Sequence, residues 1–105
     1  MLDANQPDYI AIPQSTIDAL KRYVEKGIPT GGFLYSVLTN NFIRAVGRAD
    51  DSNRVVLHAI HLFVYNEMPA DCWGNPEKVG VWMDKGGLEG IRKVATDGYT
   101  TSTPV

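Results

Sequence analysis

Cysteine is nearly absent from this chain: among 105 residues there is only Cys72. One thiol closes no intrachain disulfide and builds no zinc site on thiolates. A basic excess is also missing. The 10 Lys and Arg residues face 12 Asp and Glu, for a net charge of −2. That balance weighs against a general nucleic-acid binder, which carries a clustered positive surface. It leaves room for a small anion held by one or two cations. No apolar run approaches the roughly 18 residues of a membrane helix. The opening residues Met1 to Asp8 lack the basic and apolar regions of a signal peptide, so the expected compartment is a reducing cytoplasm. Histidine is scarce as well. His58 and His61 stand three residues apart, a spacing that can turn two imidazoles toward one metal, but no third ligand is signalled. No metal and no cofactor is expected.

What remains describes one helical domain. A chain of this length buries roughly 65% of its unfolded surface, enough for one modest core. Residues 1–14 are polar and punctuated by proline, and read as an irregular arm carrying Tyr9, Ile10 and Ile12. Ser15-Thr16-Ile17-Asp18 resembles a capping box for a first helix ending near Lys26, with Ile17, Leu20 and Val24 inward. A second helix starts near Gly31 and keeps its period to Ala49. Thr39-Asn40-Asn41 interrupts it, because these side chains compete for backbone hydrogen bonds. One kinked helix or two short ones fits that pattern. Asp50-Asp51-Ser52 supplies caps for a third helix to about Met68, apolar over more than one stripe. Asn75 and Pro76 open a fourth helix with Val79 and Trp82 inward, closed by Gly86-Gly87. The expectation is an all-α bundle of about four helices with a kinked central helix over residues 15–86. A weakly ordered tail is expected over 87–105.

The chemistry-bearing stretch is Lys26-Gly27-Ile28-Pro29-Thr30-Gly31-Gly32-Phe33-Leu34. Gly27 suits a left-handed helix stop, Pro29 blocks continuation, and Thr30 is placed to cap the next helix. A helix start at Gly31-Gly32 beside Lys26 offers bare N–H groups and a cation to a phosphate. The bland alternative is a plain helix–helix corner. Tyr9, Tyr23 and Tyr35 flank this corner in sequence, and aromatic rings stack on bases for about 1–3 kcal/mol each. Stacking groups with anion groups suit a nucleotide; tyrosines at a protein–protein interface are an equally natural reading. A helix–turn–helix DNA binder has a similar layout, but the second helix begins Gly31-Gly32-Phe33-Leu34-Tyr35-Ser36 with nothing to read bases, and Arg44 and Arg48 come late. Cys72 with either histidine makes a conceivable nucleophile and base, with no local sequence to support it. No catalytic residue is assigned.

Several blocks together resemble a known family. They are Ile12-Pro13, Lys26 to Leu34, Val37-Leu38-Thr39-Asn40-Asn41, Ala49-Asp50, Asn53, Val64 to Pro69, Cys72-Trp73-Gly74 and Val81-Trp82. In this order and spacing, across about residues 12–85, the chain resembles small phage proteins that antagonise CBASS, the bacterial cyclic-oligonucleotide-based anti-phage signalling system. The resemblance implies a helical homo-oligomer, expected as a hexamer, in the cytoplasm of the infected bacterium. It implies sequestration, without cleavage, of cyclic dinucleotides such as cyclic GMP-AMP, and in some members of cyclic trinucleotides at a second site. It points to Lys26 and an N-terminal-region tyrosine, here Tyr9, as ligand residues. Around them the expected pocket adds Thr30, Gly31, Gly32, Phe33 and Tyr35. Neither membrane nor DNA is an expected partner. The rival readings are a ligand-free interaction module and a cyclic-nucleotide hydrolase.

Overall fold

The computed structural model describes residues 2–93, and every described element is helical, with no strand among them. The elements are α1 (Gln14–Lys26), α2 (Gly32–Leu38), α3 (Phe42–Arg48), α4 (Asp51–Arg54), α5 (Leu57–Glu67), a 3-10 turn (Ala70–Cys72) and α6 (Pro76–Lys85). Residues 87–93 are helical too. The remainder of the expected tail, 94–105, lies outside the described residues. The all-helical class stands, but two of the four expected helices are each divided.

The central helix divides at Asn40, whose φ of 64° is left-handed. Asparagine tolerates that conformation because its short polar side chain bonds locally. Asn41 then caps α3, its Oδ1 accepting from Arg44 N–H at 3.1 Å. The chain therefore reverses across Asn40-Asn41, and α3 packs back against α2 instead of continuing it. The third helix divides at the β-branched pair Val55-Val56. Asp50 caps α4 by accepting from Asn53 N–H at 2.8 Å, as its position in the sequence leads one to expect.

Two expected caps do not form. Ser15 lies inside α1, which begins one residue earlier after Pro13; Pro13 O accepts from Thr16 N–H and Ile17 N–H, and Thr16 Oγ1 donates instead to Asn53 Oδ1 at 2.7 Å. Thr30 donates to Gly31 O at 3.2 Å, and the cap position of α2 falls on Gly31, which has no side chain to offer. Asn75 and Pro76 open α6 as expected, with Asn75 Oδ1 accepting from Lys78 N–H at 2.8 Å.

The core joins α1, α2, α5 and α6, with Leu20, Tyr23, Val24, Leu38, Ile60 and Phe63 all fully enclosed. Polar groups inside it are paired. Tyr23 donates its hydroxyl to Cys72 O at 2.6 Å, and Trp82 Nε1–H is shared between Tyr23 O and Val24 O at 3.1 and 3.2 Å. Tyr23 O also accepts from the Gly27 N–H at 2.9 Å, whereas Val24 O lies in the last turn of α1, where intrahelical donors run out. The tryptophan thus caps one helix from another. Beside it, Gly27 (φ 70°) and Gly87 (φ 67°) cross so closely that a Cβ on Gly87 would stand 2.5 Å from Gly27 N.

Candidate anion-binding cleft

The seven residues expected to form one pocket are divided by the fold. Tyr9 is only 2% exposed: its ring packs edge-on to Phe63 with centroids 5.1 Å apart. Its hydroxyl donates to Glu67 Oε2 and accepts from Asn66 Nδ2, each at 3.2 Å. The tyrosine is a core residue that pins the N-terminal arm to the end of α5. Phe33 is half-buried against the same core. Lys26 is exposed at the end of α1, and Thr30 lies half-exposed in the corner that follows. Gly31 is exposed before α2, while Gly32 and Tyr35 stand one turn apart on α2 and face a different set of neighbours.

Those neighbours come from α3. Between α2 and α3 lies a cleft of about 300 Å³ whose walls include Gly32, Tyr35, Asn41, Arg44 and Arg48. Pro76, at the start of α6, closes one side. The arginines occur one turn apart on α3, so both guanidinium groups reach the same side of the helix. Gly32 lets Arg48 lie against α2: a Cβ there would stand 2.7 Å from Arg48 Nη1. Among the described residues, the ion pair found joins Arg54 to Asp51 at 3.2 Å, so neither cleft arginine has a carboxylate partner. Ser36 donates to Gly32 O at 2.9 Å and Thr39 to Tyr35 O at 2.8 Å, so both hydroxyl protons are spent on the backbone of α2. The free donors of the cleft are therefore the two guanidinium groups, the Asn41 amide nitrogen and the Tyr35 hydroxyl. An unpaired pair of guanidinium forks beside a half-exposed tyrosine suits a planar, anionic ligand.

Sequence reasoning set Arg44 and Arg48 aside as too late in a recognition helix. A usable signal was present: residues 31–49 contain two arginines and no acid at all. A cationic stretch without a local counter-charge is free to meet an external one.

Other groups offer less. A depression of about 370 Å³ along α6 is walled by Asp71, Glu77, Lys78 and Lys85, whose opposite charges offset one another. His61 donates from Nδ1 to Leu57 O at 2.7 Å and meets Phe42 edge-on with ring centroids 5.2 Å apart, and no cluster of three potential metal ligands occurs among the described residues. The Cys72 thiol is buried, which pushes its pKa up to about 12, and it donates to Pro69 O at 3.0 Å. It is protonated at neutral pH and so unsuited to act as a nucleophile. No helix among the described residues is long and apolar enough to cross a membrane. No protein-family model, no curated protein and no solved structure matches the chain.

Proposed function

We propose that this protein binds cyclic di- or trinucleotide second messengers in the α2–α3 cleft and withholds them, uncleaved, from the effectors of CBASS signalling. The observation that carries the reading is the pair Arg44 and Arg48, unpaired by any described carboxylate, in a cleft that also presents Tyr35. Guanidinium forks match phosphodiester oxygens, and the tyrosine ring offers a stacking face to a base. The resemblance of residues 12–85 to anti-CBASS phage proteins supplies the biological role, the infected-host cytoplasm, and a homo-oligomer, expected as a hexamer. Lys26 and Thr30, at the neighbouring corner, add contacts to a ligand shared between copies. Tyr9, committed to the core, is left out of the ligand set.

Sequestration requires affinity high enough to compete with effector receptors, nanomolar or about −12 kcal/mol. The reading is tested by titration calorimetry with a panel of cyclic di- and trinucleotides, followed by heat denaturation and chromatography of the released ligand. Tight binding with intact release is expected. Recovery of linear products identifies a hydrolase instead, and silence across the whole panel removes the nucleotide reading and leaves an interaction module.

A further inference from the structure

We infer that Gly32 is a positioning residue for the α2–α3 cleft: its missing side chain lets Arg48 stand where it does, and a single methyl group there lowers ligand affinity without destabilising the fold. The inference rests on the nucleotide reading above and names the residue that sets the place of one of its two cations.

Steric space carries it. A Cβ on Gly32 would stand 2.7 Å from Arg48 Nη1, while Cζ and Cδ of the same side chain would lie at 3.7 and 3.8 Å, ordinary contact distances. Only the tip of the guanidinium is too close. Restoring a contact of about 3.5 Å means opening the 2.7 Å gap by roughly 0.8 Å. The two backbones are poorly placed to supply that movement. Leu34, Val37 and Leu38 bury one face of α2, and the buried Ser36 hydroxyl donates to Gly32 O at 2.9 Å. On α3 and its cap, Ala45 and Ala49 are buried and flank Arg48 in sequence. The exposed Arg48 side chain is therefore the part that gives way.

Helix formation does not ask for glycine at this position. Gly32 opens α2 without a left-handed φ, and alanine is the better helix former. A methyl group at position 32 thus favours the helix and opposes only the arginine. Gly47 is the contrast. It sits in α3 next to Arg48 in sequence, yet its Cβ would meet nothing within 4 Å.

The test is titration calorimetry on the full chain with cyclic GMP-AMP, cyclic di-GMP and cyclic tri-AMP, beside urea denaturation. Gly32→Ala should weaken binding by at least about fivefold, the scale of a displaced charge-assisted contact, with a urea midpoint no lower than the native one. Gly47→Ala should leave affinity unchanged. Arg48→Lys separates positioning from any general effect of position 32. A lysine side chain is one atom shorter and ends level with Cζ, 3.7 Å from the added Cβ, with no Nη1 to displace. Gly32→Ala placed on Arg48→Lys should therefore change affinity by less than about twofold. Native affinity or a lowered urea midpoint in Gly32→Ala, or an equal loss with arginine and with lysine at position 48, overturns the positioning role and leaves nucleotide binding intact. Failure of the native chain to bind any of the three ligands overturns both.

Discussion

Tyr9 and Cys72 show how burial decides what a chemically capable side chain does. The Tyr9 ring could stack on a base, but in the fold its edge meets Phe63 and its hydroxyl is held between Glu67 and Asn66. Tyr9→Phe keeps the ring contact and removes both hydrogen bonds. It should lower stability by about 1 kcal/mol and leave the affinity for cyclic dinucleotides unchanged, as read by urea denaturation and calorimetry side by side. A selective loss of affinity would return Tyr9 to the ligand. Cys72 makes a second prediction, for pH. Burial raises its thiol pKa from 9.0 to about 12, so the folded state holds the proton more tightly than the unfolded chain does. The stabilisation is complete below pH 9.0 and is lost as pH rises toward 12. The buried Tyr23 hydroxyl, also pushed upward by burial, adds to the same slope. Urea midpoints measured across this window should fall less steeply for Cys72→Ala than for the native chain. Parallel slopes would show that the thiol does not titrate with unfolding.

At the scale of elements, what the sequence reveals depends on whether a boundary is set locally. Asn75-Pro76, Asp50 and the glycine stop at Gly27 are local signals, and each boundary falls where its own residues put it. The expected caps at Ser15 and Thr30 fail because the cap position falls two residues earlier in α1, on Pro13, and one residue later in α2, on Gly31. The division at Asn40 was visible as a weak point, yet the reversal it produces depends on a left-handed φ that periodicity does not encode. The crossing of Gly27 and Gly87 was hidden altogether, since it joins two helix ends far apart in sequence. Gly87→Ala places a Cβ 2.5 Å from Gly27 N at a φ of 67°. Both the backbone conformation and the contact oppose it, and it should cost at least about 2 kcal/mol in chemical denaturation. Gly31→Ala is the matched control, because its Cβ meets nothing within 4 Å, and it should be close to neutral. Equal losses from the two variants would mean that the crossing contributes no special constraint.

At the scale of the whole molecule, the cleft and the surface beside it share one helix, α3. Gly32 and Tyr35 could be read from the sequence as candidate ligand residues. Their partners could not, because Arg44 and Arg48 meet Gly32 and Tyr35 only after the chain reverses at Asn40-Asn41. The same helix carries Ile43, 83% exposed, and Phe42, 53% exposed, with Phe42 resting on His61 of α5. Single exposed apolar residues are ordinary, whereas a group within one turn, joined to a second helix, marks a contact surface. Here it adjoins the arginines, so copies meeting on α3 would bring their clefts toward the seam. Under the proposed hexameric assembly, light scattering should give about six times the chain mass of 11.6 kDa. Ile43→Glu places a charge on that surface without touching the core. It should shift the protein to smaller species and weaken cyclic dinucleotide binding, while the helical signal persists. A native chain that runs as a monomer would remove the assembly. An Ile43→Glu variant that stays assembled would move the contact surface away from α3 and leave the cleft to act within a single chain.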